Sequence, residues 1–217
     1  PAPDVTIAIA RDRAFGFYYP DDLEAFAAAG ARLVVFDTMR DTALPDCDGL
    51  LIGGGFPEMF VAELAANKAL TSDIRSKIEA GLPAYAECGG LMYLCRRIVN
   101  GDVSGEMVGI VPADTVMHAR PQGRGYTRLR NRPNHPWRDA ADDVAAHEFH
   151  YARLENADSP LTYARDILRG HGVDGAHDGI VTGNLLAGFC HLRATGAAPW
   201  VARFVDFVRA KKTSAAN

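Results

Sequence analysis

The chain has 217 residues, 48% of them hydrophobic, and a formal net charge of −4 at pH 7, so it can bury a full core and we expect one compact domain. Because charges of both signs are interspersed, neither nucleic acid nor an anionic membrane surface is an expected partner. No apolar run reaches the roughly 18 residues of a membrane span, and residues 1–4 lack the features of a signal peptide, so we expect a cytoplasmic protein.

Short apolar runs alternate with helical patterns through the first half of the chain. This alternation is typical of an α/β protein with an open, mostly parallel sheet and flanking crossover helices. The predicted elements are a strand at 5–10, a helix at 20–29 that ends at Gly30, and strands at 32–36 and 49–52.

The helical region that follows covers residues 59–80. We predict one or two helices there, with a break at Asn67 and a restart capped by Thr71 or Ser72.

The second half of the chain has a less regular pattern. Residues 106–151 are expected to form β-like pieces, and the basic, proline- and glycine-rich segment 120–138 within them a surface loop or hairpin. Residues 179–191 predict a pair of strands. A final helix is predicted at 199–211, with an apolar face formed by Val201, Phe204, Val205 and Val208.

These elements predict one domain from residue 5 to residue 212. Residues 1–4 are expected to be a linker and residues 213–217 a polar tail.

One stretch, residues 82–94, has the pattern of a short buried strand, a small-residue turn holding Cys88, and a helix expected to run to about Arg97. This pattern predicts a nucleophile elbow, in which the turn exposes the nucleophile at the carboxyl end of the sheet. The helix start would offer free N–H donors and lower the pKa of the thiol. Considered alone, a Cys-Gly-Gly turn is equally typical of a buried core cysteine.

The cysteine spacing bears on the same question. The cysteines occur in no CxxC pair, so neither a metal site nor a disulfide framework is predicted. Reduced thiols are expected, which leaves Cys88 available as a nucleophile. The four residues are Cys47, Cys88, Cys95 and Cys190.

A second glycine-rich loop lies at the carboxyl end of a predicted parallel strand, where open α/β sheets place their sites. Its residues Gly53, Gly54 and Gly55, with Gly89 beside Cys88, would let backbone N–H groups converge on a developing oxyanion. The alternative is a phosphate-binding loop, but no Lys-Ser or Lys-Thr pair follows the glycines and the sequence contains no Walker A motif. An acyl-transfer site is the favoured interpretation.

A cysteine nucleophile needs a base, and one of the seven histidines has a suitable position. His191 directly follows the late apolar strand, at a strand end from which it could reach the elbow thiol. The alternative is a structural histidine bonded to the backbone. Residues 147–151 alternate on an extended segment, so half of their side chains could also face the site.

The remaining histidines are weaker candidates. His135 lies in the Arg/Pro-rich segment, and His171 and His177 flank glycine-rich turns, so we expect these three to be solvated surface residues. His118 has no distinctive context.

Four motifs follow one another along the chain: GGGFPE at 53–58, AECGGLMYL at 86–94, HEFHY at 147–151 and CHL at 190–192. In order and spacing they resemble the class I glutamine amidotransferase domain of the cobalamin-pathway (CobB/CobQ) type, whose opening is also similar to residues 9–15. The resemblance extends from about residue 5 to residue 209. It implies a flavodoxin-like fold with Cys88 at the nucleophile elbow.

The resemblance implies glutamine hydrolysis. Cys88 would attack the side-chain amide, giving a tetrahedral intermediate held by backbone N–H groups of Gly54, Gly55 and Gly89. A γ-glutamyl thioester would then form as ammonia leaves, while His191 activates the thiol and shuttles protons.

Further residues receive a role only from this resemblance. In the wider class an acid follows the base by two residues and orients it, but Arg193 occupies that position here. A Cys-His dyad is therefore expected in place of a triad. The residues expected to shape the glutamine pocket are Glu58, His147, Phe149 and Tyr151.

The resemblance also implies a partner domain. In this family an N-terminal synthetase domain binds ATP and magnesium, activates the macrocycle and receives the ammonia, and we expect that domain to be absent from these residues. The glutaminase domain itself is expected to hold no cofactor. The chain would be a piece of a longer synthetase or a separate subunit, and the linker-like residues 1–3 favour the first. The domain could also form an oligomer.

The resemblance also implies the molecule that accepts the ammonia. The most similar enzymes amidate the a and c acetate side chains of cobyrinic or hydrogenobyrinic acid in cobalamin biosynthesis. Arg193 leaves room for a sister enzyme that amidates sirohydrochlorin or sirohaem.

Two alternatives come from other classes of protein. One is a peptidase or chaperone with a related elbow, and the other is a catalytically silent binding domain that keeps the amidotransferase fold. The intact Cys88 and His191 argue against the silent domain.

Overall fold

The computed structural model of the chain describes residues 2–137, 143–195 and 199–215. The strands in these ranges are β1 (Val5–Ala10), β2 (Phe15–Phe17), β3 (Ala31–Phe36), β4 (Gly49–Ile52), β5 (Gly54–Gly55), β6 (Ala84–Glu87), β7 (Cys95–Asn100), β8 (Val103–Glu106), β9 (Val111–Met117), β10 (Gly123–Asn131), β11 (Asp143–His150), β12 (Ala152–Glu155), β13 (Tyr163–Arg169), β14 (His177–Thr182) and β15 (Leu185–Gly188). The helices are α1 (Pro20–Ala28), α2 (Val61–Ala66), α3 (Lys68–Glu79), α4 (Gly89–Leu94) and α5 (Trp200–Ala215), with a 3₁₀ turn at Pro57–Met59.

The central sheet has nine strands in the order β11-β10-β13-β14-β15-β6-β4-β1-β3. The five strands from β15 to β3 pair in parallel, and the other four extend the sheet by antiparallel pairing. Seven of the nine strands therefore point in one direction, and only β10 and β14 point in the opposite direction. The predicted α/β fold with a mostly parallel sheet is therefore confirmed.

The central strands are apolar because both faces of the sheet are covered. β4, β6 and β15 are buried at every position. One face packs against α3 and α4, through residues such as Ile74 and Leu91. The other face packs against α1 and α5, and all four residues of the predicted apolar face of α5 are fully buried there.

Two smaller sheets flank this core. One has the order β12-β9-β7-β8, and the other pairs β2 with β5, which belongs to the glycine-rich loop. Among the described residues, no helix combines the length and apolar character needed to cross a membrane.

Several sequence predictions hold and others are wrong in detail. The strands at 5–10, 32–36 and 49–52, the helix after Pro20 and the strand pair before His191 are confirmed within a residue or two. The helical break at Asn67 is confirmed, but the restart is capped by Asn67 itself, whose side chain accepts a hydrogen bond from the Leu70 N–H at 3.4 Å, and not by Thr71 or Ser72.

Two predicted element ends are wrong. The helix after Cys88 ends at Leu94, because the chain turns at once into β7 and does not continue to Arg97. The last helix continues to Ala215, so residues 213–215 of the expected tail are helical, and residues 216 and 217 lie outside the described ranges.

The basic segment 120–138 is not a surface loop. Its nine-residue strand β10 pairs with β11 on one side and with β13 on the other. The hairpin alternative is closer, because β10 and β11 are antiparallel. Residue 138 lies outside the described ranges.

Candidate active site

Cys88 occupies the turn between β6 and α4 with a backbone φ of 49° and ψ of −105°. A positive φ is unfavourable for a residue with a side chain and costs on the order of 1–3 kcal/mol. The turn is held because the Cys88 N–H donates to the Gly188 carbonyl at 2.8 Å and its own carbonyl accepts from the Met92 N–H. Strain maintained by the surrounding structure at a cysteine between a strand and a helix is the geometry of a nucleophile elbow.

The glycine-rich loop and the elbow are in close contact. A Cβ atom at Gly89 would lie 2.9 Å from the Gly55 carbonyl oxygen and 3.0 Å from the Gly55 nitrogen. At Gly90 it would lie 2.1 Å from the Ile52 carbonyl oxygen. Only glycine allows the two backbones to approach in this way. The structure therefore brings together the loops that carry the predicted oxyanion donors.

His191 reaches the elbow because β15 lies next to β6. In the parallel pairing, Gly188 is opposite Glu87, so the residues that follow both strands emerge at the same sheet edge. His191 is buried and interacts with Cys88, whose side chain acts to raise the pKa of the imidazole. A Cβ atom at Gly54 would lie 2.7 Å from the His191 Cε1, so the glycine-rich loop also contacts the predicted base.

The charge state of His191 follows from its neighbours. Burial alone would lower its pKa, but the Cys88 and Glu87 side chains favour the charged imidazole and raise the pKa to about 10. An imidazolium stabilises a thiolate beside it, and the thiolate is the nucleophilic form of a cysteine.

Glu87 is the site residue that the sequence analysis did not identify. Its Oε2 lies 3.4 Å from the His191 Nδ1, and only 8% of the residue is exposed. The only signal in the sequence is its position directly before Cys88, the predicted nucleophile. It lies near His191 because β6 and β15 are neighbours in the sheet, which the sequence does not show.

Arg193 is not part of this cluster. Its side chain is mostly exposed, forms an ion pair with Asp21 at 2.6 Å and lies over the Tyr19 ring. Two residues after His191, where the wider class has an acid, this chain therefore has a surface cation.

The segment 147–151 lies beside the site, and buried and more exposed side chains alternate along it as predicted. Glu148 and His150 are buried, whereas His147 is half-buried and Phe149 and Tyr151 are exposed. The Phe149 carbonyl lies 3.8 Å from the Cys88 Sγ. Phe149 and Tyr151 contact each other edge to face, with ring centroids 5.6 Å apart.

An open cavity of about 610 Å³ lies next to His147 and His191. The residues that line it include Tyr19, Tyr126, His147, His191, Arg193 and Thr195.

The structure places the remaining pocket candidate, Glu58, on the 3₁₀ turn after the glycine-rich loop. Burial raises the pKa of its carboxyl. Its Oε2 is buried without a hydrogen-bond partner among the described residues. The preceding residue, Pro57, packs close to Gly89, where a Cβ atom would lie 3.0 Å from the Pro57 Cδ.

The expectation for His135 is wrong. It is buried against the Trp137 ring, and its Nε2 lies 3.4 Å from the Arg165 Nη2. Its turn follows β10, and Arg165 belongs to the neighbouring strand β13. His171 and His177 are only partly exposed, and His177 contacts Asp174 and stacks on Tyr163, with ring centroids 4.9 Å apart.

Within the described ranges, no group of three or more His, Cys, Asp or Glu side chains could hold a metal ion. The groups that meet at this edge of the sheet are the Cys88 thiol, the His191 imidazole, the Glu87 carboxylate and the backbone of the glycine-rich loop.

Solved structures with the same fold define the class. The chain matches PurLQS from Thermotoga maritima with a TM-score of 0.70 over 98% of this chain and 100% of that one, at 14% identity. It also matches a glutamine amidotransferase from Thermotoga maritima with a TM-score of 0.60 over 96% of this chain and 85% of that one, also at 14% identity. The fold is that of the class I glutamine amidotransferases.

Sequence relatives define the family. The profile of the CobB/CobQ-like glutamine amidotransferase domain matches residues 6–199. A cobyrinate a,c-diamide synthase from Magnetococcus marinus is 43% identical over 92% of this chain and 44% of its own length. One from Priestia megaterium is 37% identical over 97% of this chain and 45% of its own length. The chain belongs to the CobB/CobQ-like glutamine amidotransferase family, which confirms the resemblance seen in the sequence, and it spans less than half the length of these relatives.

Proposed function

We propose that this chain is a glutaminase domain that releases ammonia from glutamine through Cys88 and His191. The observation that carries the proposal is the strained elbow cysteine beside a buried histidine at the neighbouring strand end. Membership of a glutamine amidotransferase family supports glutamine as the substrate.

The proposed reaction has two halves. The Cys88 thiolate attacks the side-chain amide carbon of glutamine, and the charge on the amide oxygen develops near the backbone of Gly54, Gly55 and Gly89. The His191 imidazolium gives its proton to the leaving nitrogen, so ammonia departs and a γ-glutamyl thioester remains. His191 then takes a proton from water, which attacks the thioester and releases glutamate.

The glycine contacts support the oxyanion part of this mechanism. Backbone donors are fixed before the substrate arrives, and loss of one donor of an oxyanion hole costs roughly 10²–10³ in kcat. The close approach of the Gly55 and Gly89 backbones leaves little freedom to reorient either loop.

The use of the ammonia is proposed from the relatives. Proteins named cobyrinate a,c-diamide synthase are more than twice as long as the matched part of this chain. We infer that a synthetase domain outside these residues, in the same polypeptide or a separate subunit, uses ATP and magnesium to amidate the a and c acetate side chains of cobyrinic or hydrogenobyrinic acid. The glutaminase domain would deliver ammonia to it.

Glutamate release tests the glutaminase proposal. It is measured for the protein containing its synthetase domain, and for its Cys88→Ala and Cys47→Ala variants. The proposal predicts that Cys88→Ala falls to background while Cys47→Ala, at a half-buried thiol away from the elbow, keeps the wild-type rate. Glutamine should also protect Cys88 from alkylation. Glutamate release by Cys88→Ala at the wild-type rate would refute the proposal.

A further inference from the structure

The second ring nitrogen of the base is buried beside a carboxylate. The His191 Nδ1 has no hydrogen-bond partner within normal bonding geometry among the described residues, and the Glu87 Oε2 lies 3.4 Å from it. Catalytic hydrogen bonds are commonly long in the absence of substrate and shorten in the reacting complex. With Nδ1 directed at Glu87, Nε2 is the nitrogen available to Cys88.

Glu87 is itself held in one position. Its Oε1 accepts a hydrogen bond from the Tyr85 hydroxyl at 2.6 Å and another from the Leu192 N–H at 2.9 Å. Leu192 directly follows His191, so one carboxylate contacts both the ring of the base and the backbone beside it. Two fixed donors on Oε1 leave Oε2 free to face the imidazole.

Tyr85 is suited to remain a donor to this carboxylate. It is fully buried, and both burial and the Glu87 charge raise its pKa well above the ordinary value, so the hydroxyl keeps its proton. Its hydroxyl also interacts with the guanidinium of Arg165. Arg165 is one of the largest fully buried side chains of the protein and provides a cation behind the tyrosine.

We propose that Glu87 is the acid that orients His191, replacing the missing acid two residues after the base, and that Tyr85 is the positioning residue that fixes Glu87. The proposal rests on the function assigned above to Cys88 and His191. The chain then carries a complete Cys-His-Glu set in which the acid and the nucleophile are consecutive residues on the elbow.

The test uses Glu87→Gln and Tyr85→Phe in the protein that contains its synthetase domain. Glu87→Gln keeps the shape of the side chain but removes the charge, so kcat for glutamate release should fall about 10- to 100-fold while KM changes little. Without the carboxylate the pKa of His191 should drop, and the basic limb of the pH profile should move to lower pH. Tyr85→Phe should lower kcat less, by about 3- to 10-fold.

Matched controls are available elsewhere in the fold. Glu155 forms a glutamate–histidine pair with His118 at 3.0 Å, and Glu155→Gln should leave kcat and the pH profile unchanged. Tyr93 is a buried tyrosine whose hydroxyl has no hydrogen-bond partner in the described part of the chain, and Tyr93→Phe should do the same.

A second readout separates this inference from the glutaminase proposal. The pH dependence of Cys88 alkylation by iodoacetamide reports the Cys88–His191 pair without glutamine, and Glu87→Gln should shift it. If the wild type released no glutamate but this shift occurred, the glutaminase proposal would fail and the role of Glu87 would stand. An active wild type whose Glu87→Gln variant kept the same kcat, pH profile and alkylation profile would overturn the role of Glu87 alone.

Discussion

The imidazole rings of His147 and His191 stack with their centroids 4.8 Å apart and their planes 18° apart. The two residues also exchange backbone hydrogen bonds, His191 N–H to His147 carbonyl at 2.7 Å and His147 N–H to His191 carbonyl at 3.2 Å. The proposed base is therefore held on one side by β11 and on the other by the elbow. A histidine fixed in this way loses little rotational freedom when it transfers protons.

The stacking predicts that His147 supports the base through its flat ring. His147→Ala should lower kcat for glutamate release by about tenfold, because the His191 ring loses a packing partner. His147→Phe restores a ring and should stay within about threefold of the wild type. Steady-state kinetics of both variants make the comparison. Equal kcat values for the alanine variant and the wild type would show that the stack is not needed.

The same pair predicts a pH dependence of stability. Burial and the nearby His191 charge lower the pKa of His147 below its ordinary value of 6.5. As pH falls through 6.5 the unfolded chain therefore binds a proton that the folded protein does not, and the free energy of unfolding decreases. Between about pH 7.5 and pH 5.5, urea unfolding should show a larger loss of stability for the wild type than for His147→Phe. A loss of the same size in both proteins would contradict the lowered pKa.

The contact between the two glycine-rich backbones predicts a strong effect of one methyl group. Gly89→Ala would place a Cβ atom within 3.0 Å of Gly55 backbone atoms, so the glycine-rich loop must move away from Cys88. Displacing the proposed oxyanion donors should lower kcat by about 10². Overpacking should also lower the free energy of unfolding by about 1–3 kcal/mol.

Gly16→Ala is the control for this prediction, because its Cβ atom would meet nothing nearer than the Asp12 carbonyl oxygen at 3.9 Å. It should leave kcat unchanged. Wild-type kcat in Gly89→Ala would show that the approach of the two loops has no part in catalysis.

The buried ion pair behind the site predicts a large loss of stability. Asp178 lies 3.9 Å from Arg165 and accepts a hydrogen bond from the Phe189 N–H at 2.8 Å, on the segment that leads to His191. Asp178→Ala leaves the buried guanidinium without its carboxylate and should cost about 3–5 kcal/mol in urea unfolding. Asp166→Ala, which removes the partly exposed partner of Arg132, should cost less than about 1 kcal/mol. Similar losses for the two variants would refute the structural role of the buried pair.

Much of this architecture could be predicted from the sequence. Short apolar runs located β1, β4 and β15, and the small-residue turn located Cys88, because these signals are local. His191 could be chosen because strand ends of a parallel sheet share one edge. Glu87 could not be assigned, because its role depends on β6 and β15 being neighbours although nearly a hundred residues separate them.

The errors have the same origin. His135 lies in a segment whose arginines and prolines indicate a surface, but the pairing of β10 with β13 brings Arg165 next to the turn, and the His135 ring is buried beside it. The helix after Cys88 has an apolar pattern that continues past Leu94, but the residues that follow form strand β7, which pairs with β9. Pairing between strands decided both outcomes, and the apolar pattern of one segment does not show which strand it will pair with.

The measurement that tests the role of Cys88 most directly is mass spectrometry of the protein, together with the proposed synthetase domain, quenched in acid during glutamine turnover. We expect a γ-glutamyl group on the peptide that contains Cys88, and none in the Cys88→Ala variant, which should also release no glutamate. A glutamyl group on another residue, or continued glutamate release by Cys88→Ala, would contradict the assignment of Cys88 as the nucleophile.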